Sequence, residues 1–116
     1  MKRGDVILAV IPNVGSPGSK KRPALIVQSD LNNSRLKETI IAAITSNVSR
    51  VHEAHQLLIE ISTPDGAATG LLRDSAVRCE RLHCIPKDDA ERVIGHMSDA
   101  IMKQIEECLK ASLGIG

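Results

Sequence analysis

No phenylalanine, tyrosine or tryptophan occurs anywhere in the 116 residues. Proteins that hold single-stranded nucleic acid commonly stack its bases on aromatic rings, so platforms of that kind are excluded. Any reading of RNA must rely on hydrogen bonds, phosphate contacts and guanidinium planes. The core must be aliphatic: 13 Ile, 11 Leu, 8 Val and 11 Ala supply it, a β-branched-rich mix that favours strands. No apolar run nears the ~18 residues a membrane span needs. Met1-Lys2-Arg3-Gly4-Asp5 leads into structure without the apolar stretch of a signal peptide. Cysteine is scarce and odd in number, at three, which suits a reducing cytoplasm better than a disulfide scaffold. A cytoplasmic protein with no membrane partner is expected.

What is present describes a folding chain. Hydrophobic residues at 42% and charged residues at 25% match ordinary globular proteins, and the length suits a single domain over residues 1–116. The net charge of +1 hides an asymmetry. Residues 1–50 carry eight Lys/Arg against three acids, whereas residues 51–116 carry seven against eleven. The halves therefore stand at +5 and −4, a distribution that suits a basic face for an anionic ligand or, on charge alone, an ordinary solvated surface.

Apolar runs bounded by turn residues predict five strands: Asp5–Ile11, Ala24–Val27, Thr39–Thr45, Gln56–Ser62 and Asp74–Leu82. Between the first two, residues 12–23 read as a long loop rich in Gly, Pro and Ser that ends in Lys20, Lys21 and Arg22. After Pro86 the pattern changes. Asp88–Gly95 reads as a short helix with acids in its first turn, where they suit the helix dipole. Ser98 can cap a second helix whose Ile101, Ile105 and Leu109 recur every four residues, a core stripe. Strands followed by terminal helices point to a mainly β fold, a small twisted barrel with C-terminal helices.

Few chemical motifs are visible. His52 and His55 stand three apart but lack a matching second pair, and Cys79, Cys84 and Cys108 show no zinc-ligand spacing, so no metal or cofactor is expected. A histidine acid–base pair drawn from His52, His55 or His83 has no spacing to support it. Phosphate-cradling glycine loops and serine nucleophile elbows are missing. What remains is the basic segment ending Lys20-Lys21-Arg22-Pro23 and the polar cluster Thr45-Ser46-Asn47 at a strand end. A forked guanidinium suits phosphate oxygens, and a hydroxyl can give or take one further bond.

Taken in order, several segments resemble the MazF/PemK family of toxins from bacterial toxin–antitoxin pairs. They are Arg3-Gly4-Asp5-Val6, Val14-Gly15-Ser16, Arg22-Pro23-Ala24-Leu25-Ile26-Val27, Ile41-Ala42-Ala43-Ile44-Thr45-Ser46 and Arg73-Asp74-Ser75-Ala76-Val77 with Glu80, then a closing helix ending Ser112-Leu113-Gly114. The similarity spans nearly the whole chain and is weakest over 47–70. It implies an SH3-like barrel acting as a homodimer, and metal-independent, sequence-specific cleavage of single-stranded mRNA through attack by the 2′-hydroxyl. It also implies a cognate antitoxin that silences the enzyme, with DNA bound only through that complex. By position, the resemblance puts the catalytic arginine on Arg22 and the catalytic threonine on Thr45. The resemblance also puts substrate contacts on Ser16, Glu80 and Arg81, and the basic segment and strand-end cluster add Lys20, Lys21 and Ser46. Proton transfer by Arg22 is an implication of the resemblance alone, because an arginine with a pKa above ~12 gives up a proton reluctantly.

Two positions depart from the family pattern. Pro17 stands where relatives usually carry an acid, and Arg81-Leu82-His83 replaces a common Gln-Ile-Arg, which bears on the target sequence and on pH sensitivity. The rival readings are a CcdB-type toxin, which binds gyrase without catalysis, and a plain nucleic-acid-binding barrel. The Arg22 and Thr45 motifs favour the ribonuclease.

Overall fold

The chain begins with a long hairpin. In a computed structural model that describes all residues, 1–116, β1 (Asp5–Pro12) runs antiparallel to β2 (Ser19–Ile26) from Val6 opposite Leu25 to Pro12 opposite Ser19. A short helix α1 (Asp30–Arg35) follows, capped by Ser29, whose hydroxyl accepts the Asn32 N–H. Its buried Asn33 is satisfied: Oδ1 accepts from Thr39 Oγ1 at 2.8 Å and from Gln28 Nε2 at 2.9 Å. That network ties α1 to the start of β3 (Glu38–Thr45). Then come β4 (Gln56–Ile59), a one-turn α2 (Pro64–Ala67), β5 (Ser75–Pro86), a single 3₁₀ turn (Lys87–Asp89), β6 (Ala90–His96) and α3 (Asp99–Leu113). All six strands form one antiparallel sheet in the order β4-β5-β3-β2-β1-β6.

Alternation along the strands sends side chains to two faces and builds two cores. Val6, Leu25, Ala42 and Val77 face α3 and meet Ile101, Met102, Ile105 and Cys108 from the helix. Ile7, Ala9, Ile11, Ala24, Ile26 and Ile41 fill the other side with Ile85. α3 is the amphipathic element expected, with Ser98 Oγ accepting the Ile101 N–H and Gly114 ending it at φ +69°.

The edge strands β4 and β6 do not pair with each other. Instead, the segment after α2 runs against β6, and the His96 N–H donates to the Ala68 carbonyl at 3.0 Å. Close backbone approach here requires glycine: a Cβ on Gly95 would stand 2.3 Å from the Thr69 carbonyl carbon, and one on Gly70, at φ +74°, 2.1 Å from the Ile94 oxygen.

Four expectations need correction. Asp88–Gly95 is not a helix, and one C-terminal helix, α3, takes the place of the several expected; the acids occupy the 3₁₀ turn, and Ala90–His96 is a sixth strand. Its residues lie opposite β1, Gly95 to Val6, Val93 to Ile7 and Arg92 to Leu8, so an open strand edge outweighs a weak local helix preference. The loop over 12–23 is shorter, because both strands extend and leave only 13–18 as connection. Pro23 is tolerated inside β2 because pairing to β3 begins only at Ala24, so its missing N–H leaves no ladder bond unmade on that side. The strand over 56–62 ends at Ile59, where the chain turns toward Thr63, the cap of α2. β5 runs on to Pro86 beside the start of β3.

Candidate functional site

Arg22 leaves β2 beside the hairpin end, and Thr45 is the last residue of β3. Both are half-buried and line the same cleft of about 420 Å³, together with Lys21, Ser46, Arg73 and Arg92 over an apolar floor of Leu8, Ile44, Leu71 and Ile94. They also share a smaller cleft of about 170 Å³ with Arg78, Arg81 and His83. Thr45 lines a third, of about 130 Å³, beside Asn47, Arg50 and Arg78. The two residues singled out from the sequence thus lie together where three clefts adjoin.

Each is oriented. The Arg22 Nη2 donates to Asn13 Oδ1 at 3.0 Å, while Asn13 Nδ2 donates to the Pro17 carbonyl and the Asn13 N–H to the Gly18 carbonyl. One asparagine therefore closes the 13–18 loop and holds the guanidinium. The Thr45 hydroxyl oxygen accepts the Asn47 N–H at 3.1 Å, which leaves its own proton free to donate. Cations dominate the surroundings, and none of the molecule's six ion pairs involves Arg22, Arg73 or Arg92.

The remaining sequence candidates divide. Ser46 lines the large cleft with Arg22. Arg81 lines the second cleft, and its Nε, like the Nε2 of His83, is buried there without a partner. Arg81 belongs to a bulge, whereas His83 stays in the ladder opposite Ile41: β3 pairs Ala42 with Leu82 and Ala43 with Arg78, so 79–81 swing out. Glu80, in the bulge, lines none of these clefts; its Oε2 accepts from Gln56 Nε2 at 2.9 Å and from Arg78 Nε at 3.2 Å. Lys21 is on a strand and paired with Glu91 at 2.5 Å, so its charge is partly spent. Lys20 and Ser16 are exposed and line none of the clefts.

Burial, helped by the Arg81 charge, holds the His83 pKa below its usual 6.5. Partial burial pushes Glu80 up, but the hydrogen bonds from Gln56 and Arg78 outweigh it and keep the carboxyl below 4.5. Burial pushes the Cys79 thiol up to about 12, which rules out a thiolate nucleophile there at neutral pH. No three His, Cys, Asp or Glu side chains converge as metal ligands.

Sequence reasoning missed Asn13 and Arg92. Asn13 carries no local signal beyond a turn position, and Arg92 falls within the segment Asp88–Gly95, whose pattern suggests a helix.

Residues 2–113 match the family described as PemK-like, MazF-like toxin of type II toxin-antitoxin system. The chain is 33% identical to the "Endoribonuclease EndoA" of Bacillus subtilis (strain 168) over 99% of its length and 96% of the relative's. It is 31% identical to "Endoribonuclease MazF" of Staphylococcus saprophyticus, over 99% and 92%. Among solved structures, "Endoribonuclease in complex with its cognate antitoxin from Mycobacterial species" superposes with a TM-score of 0.78 at 20% identity, covering 100% of this chain and 97% of that one. "Mycobacterium tuberculosis toxin MazF-mt6" gives 0.76 at 22%, covering 97% and 98%. No helix is long and apolar enough to cross a membrane. Matched over nearly its full length, this chain belongs to the PemK-like, MazF-like toxin family of type II toxin–antitoxin systems.

Proposed function

We propose that the protein is an endoribonuclease that cuts single-stranded mRNA without a metal, with Arg22 and Thr45 as its catalytic residues. The observation that carries this reading is their convergence: an oriented guanidinium and a hydroxyl with a free proton face the same cleft. In the reaction, the 2′-oxygen attacks the adjacent phosphorus and loses its proton. The bond to the 5′-oxygen breaks, and that oxygen takes up a proton, leaving a cyclic phosphate and a free 5′-hydroxyl. Negative charge builds on the phosphoryl oxygens. Arg22, kept in place by Asn13, supplies a fixed positive fork, and Thr45 donates a hydrogen bond whose direction is set by the Asn47 N–H behind it. Ser46 and Arg81 bind flanking parts of the strand, and Ser16, Lys20, Lys21 and Glu80 contribute from the surface around it.

The working unit is a homodimer in the cytoplasm, and a cognate antitoxin covers the same face; one neighbour in fold is described as an endoribonuclease in complex with its cognate antitoxin, which supports that partner class. A toxin that only bound gyrase would have no use for an oriented arginine–threonine pair. The test is incubation with long RNA in EDTA followed by mapping of 5′ ends. Discrete cuts bearing 5′-hydroxyls, lost in Arg22→Ala, are expected. Full activity in Arg22→Ala overturns the assignment.

A further inference from the structure

The large cleft extends well past Arg22 and Thr45, and its far side is built by residues that the catalytic pair does not use. β1 is the centre of a three-strand row in which Leu8 faces Pro23 of β2 on one side and Arg92 of β6 on the other. Residues directly opposite in antiparallel strands share a face, so Arg92 stands beside the apolar floor formed by Leu8 and Pro23. Arg73 approaches the same cleft from the segment before β5, its carbonyl held by the Ser75 hydroxyl at 2.8 Å.

The neighbouring carboxylates are turned elsewhere. Glu91 pairs with Lys21, and Asp74 Oδ1 accepts the Ile61 N–H at 2.9 Å. Arg3 and Arg78, by contrast, each have a glutamate partner. Arg73 and Arg92 thus face the cleft with no counter-ion from the protein. Leu72, between Arg73 and the cleft floor residue Leu71, is 92% exposed, the most exposed large apolar side chain in the molecule. An aliphatic surface bordered by unpaired guanidiniums matches a nucleotide, with the apolar faces of ribose and base against the floor and the phosphate at the rim.

We propose that Arg92 and Arg73 form a second phosphate site, which holds the phosphodiester of the nucleotide flanking the one bound at Arg22 and Thr45. This rests on the ribonuclease reading for the identity of the strand, but the binding chemistry can be tested apart from cleavage. The site would anchor the strand as it leaves the catalytic pair. The site responds to strand length and not to base identity, because a fork on phosphate reads charge and position.

The experiment measures binding of random-sequence 2′-O-methyl single-stranded RNA octamers, which lack the attacking hydroxyl, by fluorescence anisotropy across a salt series. Each phosphate contact on a single strand contributes about −0.7 to the slope of log affinity against log salt. Arg92→Gln and Arg73→Gln should each flatten the slope by a share of that amount, and the double variant by about 0.7. Arg92→Lys should restore it, and Lys103→Gln, on the exposed side of α3, should leave it unchanged. Dimers of the same chemistry, whose single phosphodiester cannot span both sites, should bind wild type and Arg92→Gln alike. The proposal is overturned if Arg92→Gln leaves the octamer slope unchanged, or if it weakens short and long oligonucleotides equally. It is also overturned if sedimentation shows that Arg92→Gln changes the oligomeric state, since the cleft would then be occupied by a second copy. RNA cutting with no Arg92 effect on binding defeats this proposal alone. Arg92-dependent binding without any cutting defeats the ribonuclease reading alone.

Discussion

Replacing Thr45 by valine separates chemistry from folding. Valine has nearly the same shape and the same branching at Cβ, so the end of β3 keeps its strand preference. The hydroxyl is lost, and with it one hydrogen bond from the Asn47 N–H, which lies at the surface. Water can replace that partner, so the stability cost should stay near or below about 1 kcal/mol. Activity should respond very differently. A preorganised donor aimed at developing phosphoryl charge is worth about 10²–10³ in rate, or about 2.7–4 kcal/mol of barrier. Thr45→Ser keeps the hydroxyl and should stay within about tenfold of wild type by the same reasoning. The assay is single-turnover cleavage, in EDTA, of an oligonucleotide built around a mapped cut, with circular dichroism melts of all three proteins alongside. If Thr45→Val cuts within tenfold of wild type, the hydroxyl does not stabilise the transition state and the site must be redrawn. If activity and melting temperature fall together, the loss is structural.

Further outcomes follow from the same geometry. Asn13→Ala releases the Arg22 guanidinium and the 13–18 loop together, and because small misplacements can cost up to about 10²-fold, kcat should fall while RNA affinity changes little; an unchanged kcat means the tether is dispensable. Gly95→Ala places a methyl 2.3 Å from the Thr69 backbone and should destabilise the fold by about 3 kcal/mol or more, read as a shift in urea midpoint. Ile105→Ala empties a fully buried position under the sheet and should cost about 2–5 kcal/mol, whereas a loss below about 1 kcal/mol would mean that α3 is not held by this stripe. His83 titrates below 6.5 in the folded chain, so on acidification the unfolded chain takes up a proton first and stability falls from about pH 6.5 downward. Urea midpoints of His83→Gln should therefore fall less than those of wild type between pH 7 and 5.

The central strands and the last helix could be read locally because their signals are local. β-branched runs ended by turn residues, as at Thr39–Thr45, leave a chain segment few alternatives to a buried strand. Ser98, the Ile101 and Ile105 spacing and Gly114 together specify α3 from cap to cap. Arg22 and Thr45 were found through segments whose order along the chain resembles a known family, although nothing near either residue says that they meet. That meeting is a property of register: Ala24 pairs with Ala43, so two residues along each strand Arg22 comes level with Thr45. β6 shows the converse. With acids at its start and a glycine at its end, the segment Asp88–Gly95 reads as a short helix in isolation, but the unpaired edge of β1 offers backbone hydrogen bonds along the strand, and Gly95 lets Thr69 close against it. The bulge at 79–81 and the place of Arg92 in the cleft were equally out of reach of the sequence. Composition and periodicity determine which segments must be buried and in what form, because they act over a few residues. Which side chains share a cleft depends on pairings between segments far apart in the chain, and those are decided only when the whole sheet assembles.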